Sequence, residues 1–180
     1  MQGIKARLAA MQELADAHEG YGQPVRQALK RAGNDPRVHG VVAQLMRAPQ
    51  ELETALEMVL GGSLQHIVTR DEETAKELID WLRENRMGRT TFLPVSAVTP
   101  RSLTVKEREV LNLPGCLGVA GELIGYSPEH ERIFQSLLGR TVVARDLDSA
   151  IRIAREGRQA FHVVTLLGDV MRAGGAMTGV

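Results

Sequence analysis

The sequence is poor in aromatic residues and nearly devoid of cysteine. Phe, Trp and Tyr make up 3% of 180 residues, too few for the stacking platforms that hold single-stranded nucleic acids. The one cysteine, Cys116 in the stretch LPGCLG, excludes an internal disulfide and a Cys-rich metal cluster. Its apolar flanks mark it as buried filler rather than a reactive thiol, and a reducing compartment fits. No apolar run approaches the roughly 18 residues that cross a bilayer. Charges run through MQGIKARLAAMQELADAHEG, so the first residues are not a signal peptide. Net charge is missing too: 22 basic and 22 acidic side chains cancel, which removes a global nucleic-acid footprint. Residues 1–39 carry six basic and four acidic groups, and residues 40–94 carry six and nine. Any contact to DNA must therefore be local.

Catalytic signatures are absent as well. There is no GxxxxGK[ST] phosphate loop, no GxSxG elbow and no HExxH. The glycines of GCLGVAG (Gly115–Gly121) are spaced by three and precede a strand, unlike a dinucleotide turn. Histidines 18, 39, 66, 130 and 162 are scattered, with no i, i+4 pair. His66 and His162 read as hydrogen-bonded strand residues. The acidic run Asp71-Glu72-Glu73 suits the positive end of a helix without any catalytic role. The expectation is no catalytic residue, no metal site and no cofactor.

The residues that are present read as an α/β chain. Ile4, Leu8, Met11 and Ala15 form one apolar helical stripe, narrow enough for a coiled-coil seam or for a helix docked on its own domain. PVRQALKRAG reads as a helix from Pro24 to a stop at Gly33, and NDP as a turn. GVVAQLM reads as a buried strand. Pro49 then opens a helix that Gly61 closes, SLQHIVT is a strand, and Asp71 caps a helix that Gly88 ends. TTFLPV follows as a strand, and residues 96–116 read as a crossover loop.

The pattern then repeats. Gly40 matches Gly118, Pro49 matches Pro128, Leu60-Gly61 matches Leu138-Gly139, Arg70-Asp71 matches Arg145-Asp146, and Ala75 matches Ala150. Phe92 and Phe161 open the closing strands. A unit this long is not a solenoid repeat. It points to two related halves, each strand, helix, strand, helix, strand, with parallel neighbours across the crossovers.

Basic side chains gather in three places: Arg26, Lys30 and Arg31 on the short helix; Arg101, Lys106 and Arg108 in the crossover; and Arg140, Arg145, Arg152, Arg155 and Arg158 around the second helix. DNA binding through them would be sequence-independent and salt-sensitive. The terminal GGAMTGV lacks the lysine and following helix of a phosphate loop. Its glycines remove side chains where another backbone approaches, with Met177 as an apolar anchor.

HGVVAQLM, ALEMVLGGSLQHIVT, GRTTFLPV, LLGRTVVARDLDSA and the closing GGAMTG, with GYGQPVRQAL upstream, resemble the hinge domain of bacterial structural maintenance of chromosomes (SMC) proteins. The resemblance runs from about Gly20 to Val180. It implies a mixed α+β SMC hinge fold with two related βαβ-type subdomains: a coiled-coil stub at 1–19, then the hinge at 20–180. Subdomain I spans about 40–95, the crossover 96–116 and subdomain II about 117–180. It further implies a non-catalytic fragment that forms a homodimer through Gly174, Gly175, Ala176, Met177 and Gly179. Family members often carry a further glycine where this chain has Val180. The hinge would join two coiled-coil arms of a cytoplasmic, nucleoid-associated ATPase that condenses and segregates chromosomes. Its ATP-binding heads, not the hinge, would hold kleisin and accessory subunits. Weak DNA binding at Arg26, Lys30, Arg31, Arg101, Lys106 or Arg108 is expected, with no membrane contact. The alternative is a small duplicated α/β ligand-binding domain or enzyme with a cleft between its halves, recognisable by convergent polar groups in that cleft.

Overall fold

Residues 21–180 are described by the computed structural model; the stub expected at 1–19 lies outside them. Helix α1 (Gln23–Ala32) has Pro24 in its first turn and ends where the Gly33 N–H reaches the Leu29 carbonyl, burying Val25, Ala28 and Leu29. After the Asn34-Asp35-Pro36 turn comes β1 (Val38–Val41). The strand expected across 40–46 is broken there. The chain makes one helical turn, α2 (Val42–Leu45), before β2 (Met46–Arg47). The Gln44 Oε1 accepts the Val41 N–H at 3.2 Å and so caps that turn from within. Pro49 precedes a 3-10 turn (Gln50–Leu52) that feeds α3 (Glu53–Leu60), closed by Gly61. Strand β3 (Ile67–Thr69) and helix α4 (Glu72–Glu84) follow. Helix α4 stops short of Gly88: Arg86 takes the left-handed conformation and the Met87 N–H returns to the Leu82 carbonyl. Strand β4 (Phe92–Pro94) completes the first half.

The second half repeats this build: β5 (Cys116–Val119), β6 (Gly125–Tyr126), a 3-10 turn (Pro128–His130), α5 (Glu131–Leu138), β7 (Thr141–Ala144), α6 (Leu147–Glu156) and β8 (His162–Thr165). A hairpin, β9 (Val170–Met171) and β10 (Met177–Thr178), is added at its end.

The correspondence reaches single dihedral angles. Asp71 (φ −147°, ψ 172°) and Asp146 (φ −147°, ψ 173°) each cap a helix, accepting from the Thr74 and Ser149 N–H at 2.9 Å. The parallel neighbours expected across the crossovers occur only at the second crossover of each half: β3 is parallel to β4 and β7 to β8, whereas β1 runs antiparallel to β3 and β5 to β7, because the chain turns back at the broken first strand. Both antiparallel pairs carry a bulge at the same place, at His39 and at Leu117. The next residues, Gly40 (φ +123°) and Gly118 (φ +133°), take a backbone conformation that L side chains rarely adopt. The proline match slips by one residue: Pro49 precedes its 3-10 turn, whereas Pro128 begins one. Ser127 therefore stands at the place of Pro49, and His130 at that of Leu52. Register likewise places Val163, not Phe161, at the position of Phe92.

The halves meet through β2 and β6, which pair antiparallel with Arg47 opposite Gly125. These two residues occupy equivalent positions in the repeat, so an internal two-fold axis passes between them. One apolar cluster joins Val41, Leu56 and Ile67 of the first half to Phe134, Val143 and Val164 of the second. Tyr126 stacks on Phe134 with ring centroids 4.9 Å apart. Alternate residues of β7 and β8 serve another cluster, in which Val142, Ala144 and Val163 meet Ala150 and Ile153 of α6. This sheet is covered on both faces, which accounts for its unbroken apolar sequence.

The crossover is not a free loop. It contains a 3-10 helix (Glu107–Asn112), and Leu103 and Val110 are buried in the second cluster. Its last residue, Cys116, already belongs to β5 and is half-buried. Burial pushes the Cys116 thiol up, away from the thiolate form.

Replacing Gly40 or Gly118 with alanine forces a side chain into the bulge conformation. Each change should cost about 1–3 kcal/mol, read by urea denaturation. Gly62→Ala, where an added methyl meets nothing within 4 Å, should be close to neutral.

Candidate functional site

The terminal glycines first have a job within their own chain. Gly174 (φ +93°) and Gly175 (φ +106°) form the turn between β9 and β10. The Arg172 N–H donates to the Ala176 carbonyl at 2.7 Å, and the Gly175 N–H to the Arg172 carbonyl at 2.9 Å. A side chain added at either glycine would meet nothing. Conformation, rather than crowding inside the chain, is what calls for glycine here. The turn brings Gly174, Gly175, Ala176, Met177 and Gly179 together on one exposed hairpin. Met177, anticipated as an anchor, is 54% exposed, and Leu167 and Val180 are exposed near the hairpin's base. Asp169 ties that base together: its carboxylate accepts from the Val180 N–H and the Thr165 hydroxyl.

Strand order reveals a second, complementary edge. The larger sheet runs β10-β9-β8-β7-β5, and the smaller runs β1-β3-β4. On β8, Val163 has Met171 of β9 as its outer neighbour. On β4, the equivalent residue Phe92 is paired, among the described residues, only with Ile67 of β3. Pro94, without an N–H, is acceptable on such an edge. Beside it lies a groove of about 600 Å³, lined by Ile79, Lys76 and Asp80 of α4 and by Phe92 and Pro94 of β4. In the second half, Met171 packs in the cluster with Ile153 and Ala154 of α6. Here the two halves differ: the second carries a strand with a methionine on its edge, and among the described residues the first leaves that place open. This groove lies along a sheet edge and does not match a cleft between the halves. Its charged lining is also paired with itself, Lys76 to Asp80 at 2.6 Å.

The basic candidates separate under the same inspection. Arg26, Lys30 and Arg31 are exposed on α1 and make no ion pair among the described residues. Arg101 and Lys106 are likewise exposed and unpaired there. Arg108 is not free: its guanidinium grips both carboxylate oxygens of Glu122 at 2.9 and 3.1 Å. That exposed pair competes with a phosphate for the guanidinium. Arg140 is likewise held by Glu107 at 2.8 and 2.9 Å and also reaches the carbonyls of Ser102 and Ala160. That clamp fixes the crossover to the second half. The Arg140 guanidinium and the Thr104 N–H hold the Glu107 carboxyl down at about 2.

The fold packs α1 on α4 of the first half and the crossover in the cluster of the second. It adds one member that the sequence did not flag. Arg172 lies beside Arg101 and Arg140 around His162, whose pKa is lowered by burial and then by these three cations. No spacing rule joins Arg101 to Arg172. His162 accepts from the Ala173 N–H at 3.1 Å, as anticipated for a strand histidine. His66 instead precedes β3, and its buried Nδ1 has no hydrogen-bond partner; burial lowers its pKa. His39 and His130, far apart in sequence, come within 2.9 Å.

Comparison with known proteins gives a consistent result. The family model described as "SMC proteins Flexible Hinge Domain" matches residues 35–154. The chain is 38% identical over 174 residues to the chromosome partition protein Smc of Halothermothrix orenii, and 35% identical over 180 residues to that of Bacillus subtilis. These matches cover 97% and 99% of this chain but 15% of each relative. An asymmetric dimer of the Geobacillus stearothermophilus SMC hinge domain superposes with a TM-score of 0.88 at 38% identity, covering 99% of this chain and 74% of that one. The Pyrococcus furiosus SMC hinge gives 0.73 at 27% identity, covering 98% of this chain and 89% of that one.

The Glu107 clamp makes stability depend on acid. A carboxyl lowered from its ordinary 4.5 to about 2 on folding stabilises the fold fully above pH 4.5. That contribution disappears as pH falls toward about 2. Glu107→Gln should lower stability at neutral pH and flatten the pH dependence across this window, as followed by circular dichroism in urea.

Proposed function

The chain belongs to the family of SMC flexible hinge domains, and from that premise we propose that it is a homodimerisation hinge that closes head to tail. The observation carrying this reading is the mismatch between the halves. Strand β10 of one copy adds to the open β4 edge of the other, and Met177 enters the groove beside Ile79 and Phe92. It there plays the part that Met171 plays on β8. The exchange is mutual, so a two-fold pair uses both edges of both copies and leaves none to propagate. Gly174 and Gly175 present the hairpin, and Ala176 and Gly179 keep its flanks slim enough for a second backbone. The arms of a chromosome-partition ATPase would leave from the two copies, working on the chromosome in the cytoplasm. Kleisin and accessory subunits would sit elsewhere in that larger protein.

A modest affinity for DNA backbone goes with this reading. It is favoured by the exposed, unpaired Arg26 and Lys30, one helical turn apart on α1, with Arg31, Arg101 and Lys106 as further contacts. Arg108 is left out because Glu122 competes for it.

Sedimentation tests the dimer. The wild type should sediment as a dimer, while Met177→Asp and Ile79→Glu should each give folded monomers. An equimolar mixture of these two should recover a heterodimer, because one strand and one groove remain intact between them. A dimer indifferent to Met177→Asp, or a monomeric wild type at micromolar concentration, overturns the arrangement.

Duplex DNA binding should weaken steeply with salt. The Arg26→Glu/Lys30→Glu variant should bind less tightly, with a salt slope shallower by about 0.9 for each phosphate it no longer neutralises. Anisotropy titrations at two or more ionic strengths read both effects; an unchanged slope removes α1 from the interface.

A further inference from the structure

His39 and His130 are brought together by the two features that the halves share. His39 is the extra residue of the β1 bulge, and bulges re-aim side chains. His130 ends the 3-10 turn that leads into α5. At the equivalent positions the repeat has Leu117 and Leu52, so the scaffold itself does not ask for imidazole at either place. The His39 Nδ1 lies 2.9 Å from the His130 Nε2, with the rings tilted by 59°. The neighbouring Glu129 brings Oε1 to 3.7 Å from the same Nε2. One donor atom from each of the three lies within 4.8 Å of the others. His130 is buried, His39 half-buried and Glu129 exposed, so the cluster is anchored on one side and reachable from solvent on the other.

We propose that His39 Nδ1, His130 Nε2 and the Glu129 carboxylate form a zinc-class divalent metal site that clasps the first half to the second. The donor set, two imidazoles and a carboxylate with a fourth place facing solvent, suits Zn²⁺. Tetrahedral coordination sets two such nitrogens about 3.3 Å apart, a few tenths of an ångström beyond their present separation. Glu129, on the surface, is free to close the third bond. The buried Nδ1 of His130 has no hydrogen-bond partner. Ligation through Nε2 leaves the ring's one proton on that Nδ1, so the bond from His130 forms against the cost of a buried N–H without an acceptor. With metal bound, the β1 bulge and the start of α5 are joined directly. This adds a cross-link close in sequence to the short β2–β6 ladder. It does not depend on the dimer or on DNA.

The test uses the untagged chain stripped of metal. Titration with Co²⁺ should give visible ligand-field bands of tetrahedral type at one ion per chain. Zn²⁺ should displace the Co²⁺ and raise the melting temperature. His39→Ala and His130→Leu, the latter restoring the residue found at position 52, should each weaken binding by about tenfold or more. Glu129→Gln should weaken it less. Sedimentation should show the same oligomeric state with and without metal. Equal affinity in His39→Ala and wild type overturns the proposal, as does no uptake at about 100 µM metal, far above structural-zinc affinities. Should His130→Leu fail to fold, His39→Ala and Glu129→Gln decide the matter.

Discussion

Burial of the two halves against each other is the constraint on which the rest of this structure depends. Neither sheet is wide: the smaller has three strands, and its central strand is only Ile67–Thr69. A sheet of that size supplies little apolar surface of its own. Leu56 and Ile67 from one half and Phe134, Val143 and Val164 from the other enter a single cluster. Side chains on α3 and α5 thus serve a shared interior. The short β2–β6 ladder sets the register of that packing while adding few hydrogen bonds itself. The hairpin and the open β4 edge are then the two margins of this joined body.

The halves are alike in construction, and the useful chemistry lies where they differ. The second half has a hairpin that the first lacks. The first has a histidine at its bulge where the second has Leu117. Arg140 staples the crossover to the second half through Glu107, whereas α3 of the first half runs out into Gly61-Gly62, which has no side chain to do the same. Two-fold likeness supplies a built-in control for each feature. A residue that departs from its counterpart has been released from the demands of the fold.

Local signals were legible in the sequence. Asp71 and Asp146 as caps, Gly33 and Gly61 as stops, and the βαβ order of each half follow from short-range chemistry. Other features needed the third dimension. The turn at Val42–Leu45 is held by a Gln44 side chain whose pattern is still that of a strand. The end of α4 rests on Arg86 adopting a conformation usually left to glycine. Arg108 looked like a free cation because its partner, Glu122, is fourteen residues away. The meeting of His39 with His130 depends on a bulge and a one-residue slip in the repeat. Neither leaves a motif. The glycines of GGAMTGV were read as room for another backbone, but their first demand is conformational: they turn the chain so that Met177 faces outward.

Arg47 and Gly125 face each other at the internal axis although they are the same position in the repeat. A strand that pairs with its own counterpart in this way needs no second half to complement it. A half-length ancestor could have met another copy of itself through this very ladder. On that history the present chain is a covalently fused pair, and the fusion freed one member to grow the hairpin while the other kept a bare edge. The proposed dimer would then be the second round of the same event, four related units closing where two once did.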